Sequence, residues 1–496
     1  MSIAVNQTDG YKVDHRSQYP TGTELVNSNW TPRSTKYAAK VDGVDDRIVV
    51  FGYQAFILDY IIDEWSRTFF NQPKETVLQA YKRRINGYLG PDAITFDHIE
   101  ALHDLGYMPI SIRALPEGEK TFARIPHLVV ENTLPEFFWI TNFLESVMSC
   151  ELWRPTTSAT TARKYRKVLD KYCELTGGDP SFVDWQGHDF SFRGMGGRHD
   201  AASSGAGHLL SFTGTDTIPA IDFLETFYGA NCDKELIGGS VPATEHSVMC
   251  MGTKESEIET FRRLITETYP KGVVSIVSDT WDFWQVVTEY LPALKPEILA
   301  RTGGFPVDRV VIRPDSGDPV KIICGNPNAE EGTPEYKGAI ECLWNTFGGT
   351  LSSKGYKVLD PHIGLIYGDS ITLDRCQDIC QQLMDKGFAS TNVVLGIGSY
   401  TYAYVTRDTY GWAMKATVGQ VGGELREIFK DPKTDNGMKK SAKGFVAVLK
   451  DDKGEYYLKD QVSREEFETC ELVEVFRDGR LLKFSTLAQI RERIRK

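Results

Sequence analysis

The sequence predicts an α/β fold, with parallel β/α units over the middle of the chain and a second, mixed α+β domain built from both chain ends. Two observations carry this reading. From about residue 185, short apolar runs alternate with helical periodicity, and each run ends in Gly, Ser or Asp. Before residue 180 and after residue 400 the pattern changes to short strands and hairpins around Pro and Gly. The expected division is residues 1–180 plus 400–496 for the mixed domain and 181–399 for the α/β domain. A (β/α) barrel and a doubly wound open sheet both satisfy this periodicity. In either, the loops at the strand C-termini build the site.

The elements follow in chain order. "RIVVFGYQAFILDYIIDEWSRTFF" starts as a strand and passes into an amphipathic helix. "PISIRALPEG" and "IPHLVVENT" read as short strands, and "SATTARKYRKVLDKYCELTG" as a helix stopped at Gly177. Ile221 to Tyr228 and "EIETFRRLITETY" have helical periodicity. "GVVSIVSD", "RVVIRPDSGDP", "HIGLIYGDSI" and "NVVLGIGSY" are buried strands with polar ends. Residues 324–338 form an exposed polar loop. "GFVAVLKD" and "EYYLKD" pair as a hairpin, and "STLAQIRERIRK" is a closing helix with Ser485 as its cap.

Composition narrows the function. The chain has 496 residues and a formal net charge of -12. That balance argues against a protein that coats nucleic acid or an anionic membrane, because both need a broad basic surface. It leaves room for anionic small substrates held by a local Arg/Lys cluster. The nine cysteines follow no zinc-type spacing, and Cys376 and Cys380 read as a packed pair on one helix face. With no signal-peptide core and no run of 18 apolar residues, a soluble protein of the reducing cytoplasm is expected.

The strand ends carry the chemistry. Arg313 and Asp315 share one loop: a planar guanidinium suits phosphate, and a carboxylate suits sugar hydroxyls or a magnesium shell. An internal ion pair capping the next helix is the plain alternative. Gly368 and Asp369 repeat the pattern, Asp279 follows another strand, and Gly396, Gly398 and Ser399, with Arg407 beyond, offer backbone amides for a phosphate. Phe190 beside Arg193 suits a flat ring with a polar substituent, against a core Phe with a surface Arg. Asp216 follows a Gly-Thr turn, where it is also placed to cap a helix. In "GGSVPATEHSVM" the adjacent Glu245 and His246 pose the same choice between a catalytic histidine at a strand end and a mere helix start. His98, His103, His208 and His362 are expected to be structural.

Together "DGYKVDHRSQYP", "HDFSFRG", "FTGTDT", "SVPATEHS", "VSDTWD", "IRPDSGDP", "GDSI", "TRDTYGWAMK" and "IFKDP" resemble the nicotinamide phosphoribosyltransferase family, in order and spacing, from about residue 9 to the C-terminus. The resemblance implies an irregular (β/α) barrel and a homodimer with shared active sites. The implied reaction joins nicotinamide to phosphoribosyl pyrophosphate (PRPP), with Mg2+, giving nicotinamide mononucleotide and pyrophosphate. Phe190, with Tyr11 of a second copy, would sandwich the pyridine ring, and Arg193 and Asp216 would hold its carboxamide. Asp315, Gly368 and Asp369 would meet the ribose, while Gly398, Ser399 and Arg407 would hold the 5′-phosphate. Arg313, with Arg33, Lys415 and Lys430 of the second copy, would hold pyrophosphate. His246 would be phosphorylated by ATP, with Glu245 or Asp279 steadying its other nitrogen.

Three departures stand out. Ser399 and Tyr400 replace family glycines, the second with scope to reshape the pocket. Phe445 stands where a basic residue is expected, with Lys439, Lys440 and Lys443 close by. The 324–338 loop is longer than usual. The nearest alternative is a nicotinate phosphoribosyltransferase, against which Asp216 speaks because it would repel the nicotinate carboxylate. An aldolase or isomerase barrel would need a lysine or a carboxylate base at a strand end, and no lysine is placed there. A nucleotide-binding protein without catalysis is the third alternative, and the joint presence of Asp216, His246, Arg313 and Asp315 opposes it.

Overall fold

The computed structural model describes residues 3–429 and 442–496. The polar-ended apolar runs form one parallel sheet because each is buried on both faces and must be covered by the helices that link them. Its strands lie in the order Gly214–Thr215, Gly187–Asp189, Val393–Ile397, Ile363–Tyr367, Arg309–Arg313, Val273–Val277. A short segment spans the two edges. Gly239 bridges to Gly214 and Ala243 to Ser275, both in parallel sense. Thr215 donates its N–H to the Gly239 carbonyl at 3.0 Å, and Thr244 donates to the Ser275 carbonyl at 3.0 Å. The sheet therefore curls into an irregular barrel, which decides against the open doubly wound sheet. All strand C-termini reach one rim.

A seven-stranded sheet takes strands from both chain ends. Its order is Glu424–Glu427, Ala413–Val421, Thr23–Thr31, Leu128–Asn132, Ile110–Ala114, Val473–Arg477, Arg480–Leu481. Trp30 and Trp412, both buried, stack at 3.8 Å between ring centroids. The hairpin Phe445–Lys450 with Tyr456–Val462 forms as expected. The helix Glu145–Thr176 links the two cores: Met148 and Leu152 pack with the seven-stranded sheet, and Tyr165, Val168 and Leu169 pack with the barrel.

Three expectations change. That helix ends at Gly177 in the left-handed conformation but starts at Glu145, running through Pro155. Burial of residues 154–160 against neighbouring elements outweighs the missing Pro N–H. The cap of the last helix is Thr486, not Ser485. Its hydroxyl accepts the Gln489 N–H, and Gln489 accepts the Thr486 N–H. Ser485 instead exchanges hydrogen bonds with the Gln54 amide. Residues 324–338 are not wholly loop, because Pro334–Lys337 makes one helical turn capped by Thr333. Among the described residues, no helix is long and apolar enough to cross a membrane.

Candidate active site at the barrel rim

Alternation along the Gly187–Asp189 strand puts His188 and Phe190 on one face, with ring centroids 4.5 Å apart. Asp189 points the other way. Buried, it accepts the Ser191 N–H at 2.9 Å and the Ser191 hydroxyl at 2.7 Å. That bond starts the turn Phe192–Gly194, which carries Arg193. Phe190, Phe192, Arg193, Met195, Asp216 and Thr217 line a cavity of about 540 Å³.

Asp216 does not cap the next helix, since Thr217 holds the N-cap position of Ile218–Tyr228. Its Oδ1 faces His188 Nε2 at 2.8 Å and accepts the Ser240 hydroxyl at 2.7 Å. Burial alone would raise the Asp216 pKa. The His188 bond and charge, the Ser240 bond and the Arg313 charge outweigh it and hold the carboxyl below its ordinary value. The pocket thus keeps an anion beside an aromatic face.

The segment that spans the barrel edges ends at Thr244. Glu245 and His246 therefore sit on the rim, with His246 opening the short helix His246–Met251. His246 is thus a helix start, and it follows an isolated bridge at Ala243 and not a regular strand. Its Nε2 lies 3.2 Å from Asp279 Oδ1, and the Asp279 side chain is only 4% exposed against 50% for His246. Asp279 Oδ2 accepts the Asp315 N–H at 2.8 Å and the Ser316 hydroxyl at 2.6 Å. Asp279 is the imidazole's partner, and Glu245 accepts the Ser247 hydroxyl instead.

Arg313 donates from Nη2 to the Thr244 carbonyl at 2.6 Å, and its Nε lies 3.6 Å from Asp315 Oδ1. The ion pair considered from sequence exists, but it does not cap a helix: Asp318 caps Pro319–Cys324. Burial raises the Asp315 pKa, with Arg313 and His246 opposing and Asp279 and Asp369 adding to the rise. Asp315 Oδ1 is buried with no hydrogen-bond partner. Gly368 lets the Asp315 carboxylate lie against the backbone, since a Cβ there would stand 1.7 Å from that oxygen and the carboxylate would have to move.

Ser399 follows Gly398 and opens the turn Ser399–Tyr402. A Cβ on Gly194 would lie 2.2 Å from the Ser399 Cβ, so the Ser399 turn packs directly on the Arg193 turn. A Cβ on Gly398 would come within 2.5 Å of Asp369 Oδ1, which accepts the Ser370 N–H at 2.6 Å. Tyr400 stacks on Tyr404 at 5.1 Å, both rings exposed. Arg407 pairs with Asp408 at 3.0 Å.

The rim thus gathers Phe190, Arg193, Asp216, His246, Asp279, Arg313, Asp315, Gly368, Asp369, Gly398 and Ser399. Of the four residues expected from a second copy, three are among the described residues and stand apart from this cluster. Tyr11 is 65% exposed, its ring edge-on to His15. Arg33 donates to the Gly411 carbonyl at 2.7 Å. Lys415 is exposed on the Ala413–Val421 strand opposite Asn29. Lys430 lies outside the described residues, as do Lys439 and Lys440. Phe445 is buried under the Arg464 guanidinium, which excludes it as a phosphate contact. Lys443 reaches toward Glu427 and over the Phe429 ring.

Sequence reading missed His188, Ser240 and Thr244. His188 was signalled, since it lies two residues before Phe190 on a strand and must share its face. Ser240 and Thr244 were not, because their segment has no strand periodicity. His208 is structural as expected: its Nδ1 meets the Tyr402 hydroxyl at 2.7 Å and its Nε2 the Gly214 carbonyl at 3.0 Å. Cys376 and Cys380 are buried together.

Comparison with known proteins bears on the family and the fold. Residues 185–469 match the model of the nicotinate phosphoribosyltransferase (NAPRTase) family, and residues 3–89 match the N-terminal domain of nicotinamide phosphoribosyltransferase. A nicotinamide phosphoribosyltransferase of Acinetobacter baylyi is 55% identical over 99% of this chain and 96% of its own. One from Xanthomonas campestris pv. campestris is 31% identical over 98% and 96%. Among solved structures, a nicotinate-nucleotide pyrophosphorylase of Pyrococcus furiosus superposes with TM-score 0.54 at 13% identity, covering 99% of this chain and 94% of that one. Human nicotinic acid phosphoribosyltransferase gives 0.52 at 15%, covering 99% and 93%. These two speak for the fold. The chain belongs to the nicotinamide phosphoribosyltransferase family, within the wider nicotinate phosphoribosyltransferase fold group.

Proposed function

We propose that this rim transfers phosphoribosyl from PRPP to nicotinamide, giving nicotinamide mononucleotide and pyrophosphate, a step of NAD salvage. The observation that carries the choice of base is Asp216, an anion held in the ring pocket beside Phe190 and Arg193. It accepts a hydrogen bond from the carboxamide NH2 and repels the carboxylate of nicotinate. The nicotinamide-named relatives, one of them at 55% identity, favour the same choice.

In the reaction the pyridine nitrogen attacks ribose C1′. The bond from C1′ to the pyrophosphate oxygen breaks, and its electron pair leaves with pyrophosphate. The ring nitrogen becomes cationic. Phe190 and Arg193 orient the ring, so positioning supplies much of the acceleration. Asp315 supplies negative charge beside the ribose, where positive charge develops, and Arg313 meets the leaving group. Gly398, Ser399 and Arg407 hold the 5′-phosphate.

Mg2+ suits the donors present. Among the described residues, no group of three or more His, Cys, Asp or Glu could hold a metal ion, so phosphate oxygens would complete its shell. Asp315 Oδ1, which makes no hydrogen bond and only a 3.6 Å ion pair to Arg313, would hold it, with Asp369 close by. Bound there, the ion would neutralise the phosphates.

His246 is the phosphate acceptor in this reading. With Nε2–H given to Asp279, Nδ1 keeps its lone pair and attacks the γ-phosphorus of ATP, and ADP leaves with the bridging oxygen. Asp279 then faces a cationic ring. A homodimer would bring Tyr11, Arg33, Lys415 and Lys430 of a second copy to the rim, and the solvent-exposed Tyr11 ring is available for that. The nine free thiols support a cytoplasmic setting. Incubation with nicotinamide, PRPP and Mg2+ should yield the mononucleotide and pyrophosphate in equal amounts, rising with ATP. No pyrophosphate release under these conditions would refute the proposal.

A further inference from the structure

We infer that Arg154 is a positioning residue that locks the base-binding turn and the phosphate-binding turn to each other from beneath the rim. Arg154 lies on the Glu145–Thr176 helix with its side chain 11% exposed. Its Nε donates to Asp200 Oδ1 at 2.8 Å, and its Nη1 donates to the Tyr402 carbonyl. The second Asp200 oxygen, Oδ2, accepts the Gly196 N–H at 2.8 Å.

These three bonds run from one turn to the other. Gly196 belongs to the stretch that holds Arg193 and Met195 against the ring cavity. Tyr402 ends the turn that begins at Ser399. The two turns already touch at Gly194 and Ser399. Contact alone does not fix their relative position. A buried guanidinium with two donors in rigid geometry does, since it cannot satisfy both acceptors unless both turns stand in place. Lysine in its place would keep the charge and lose the fork. The tie itself does not depend on the substrates, although naming them rests on the nicotinamide and PRPP reading.

The bonds are asymmetric, and this gives a test. Arg154 reaches the Tyr402 side directly and the Gly196 side through Asp200, whereas Asp200 itself bonds only on the Gly196 side. Arg154→Lys should raise KM for nicotinamide and for PRPP, each roughly tenfold, with a smaller change in kcat. Asp200→Asn should raise KM for nicotinamide alone. Arg163→Lys, which disturbs the Arg163–Asp45 pair on the same helix, should leave both KM values unchanged. Hydrogen–deuterium exchange of the ligand-free protein supplies an independent readout if the substrate assignment fails. Amides of 193–197 and 398–402 should both exchange faster in Arg154→Lys, and only those of 193–197 in Asp200→Asn. Unaltered exchange in both turns of Arg154→Lys would overturn the inference. So would a loss of kcat with unchanged KM values, or an Arg163→Lys variant that behaves like Arg154→Lys.

Discussion

Asp216→Asn is the substitution that bears most directly on the choice of base. Asparagine keeps the shape, and its Oδ1 can still accept the bonds from His188 and Ser240 that now end on the Asp216 Oδ1. What changes is the other position, where a carboxylate oxygen becomes an NH2 donor. Two carboxylates about 4 Å apart repel by about 4 kcal/mol at an effective dielectric near 20. The Asp216 side chain is 45% exposed, so solvent screening cuts this to about 1–2 kcal/mol. Exchanging an ionic acceptor for a donor costs the carboxamide about 1 kcal/mol more. Together the ratio of kcat/KM for nicotinamide to that for nicotinate should fall about 30- to 150-fold, at about 1.4 kcal/mol per factor of ten. Mass-spectrometric initial rates of the two mononucleotides measure this ratio. A change below about threefold would remove Asp216 from the selectivity argument.

Other perturbations have equally defined outcomes. His246→Ala should abolish ATP hydrolysis, read as ADP release, while some ATP-independent transfer persists; intact ATPase would mean that another residue accepts the phosphate. Gly368→Ala should lower kcat/KM by about two orders of magnitude with a native circular dichroism spectrum, because the new methyl displaces Asp315; near-normal activity would show that Asp315 can move freely. Glu117 is buried, and its pKa is pushed up to about 7 by that burial, against the opposing bonds from Gln54, Tyr228 and Gly52. The unfolded chain releases this proton near 4.5, so stability is full below that pH and falls as pH rises through 7, by up to about 3 kcal/mol. Glu117→Gln should flatten this loss in urea titrations at pH 5 and pH 8, and an unchanged slope would contradict it. Buried His98 and His127, held down to about 4 and about 3 chiefly by desolvation, add the opposite loss as pH falls below 6.5.

Much of the site was legible because parallel strands announce themselves. An apolar run that stops at Gly, Ser or Asp fixes which end carries polar side chains, and Arg313, Asp315, Gly368, Asp369 and Gly398 follow from that alone. Closure of the barrel was not legible. Residues 239–243 make only isolated bridges to Gly214 and Ser275, too few to impose a two-residue period. The same irregularity hid Ser240 and Thr244. Pairing of His246 was half legible. Glu245 is its neighbour in sequence, yet in an extended segment adjacent side chains diverge, and the partner comes from the next strand, at Asp279. Arg154 was invisible because its role joins elements far apart in sequence: Asp200 lies 46 residues away and Tyr402 lies 248 residues away. What Phe445 does in place of the expected basic residue was hidden for the same reason: only the tertiary packing shows Arg464 and Phe467 covering it.

The most direct test of the account is a competition at one rim. The protein is supplied with PRPP, Mg2+ and equal amounts of isotopically distinguishable nicotinamide and nicotinate, and the mononucleotides are counted by mass spectrometry. The account predicts nicotinamide mononucleotide in large excess, matched by pyrophosphate. A product dominated by nicotinate mononucleotide, or pyrophosphate with neither, would contradict it.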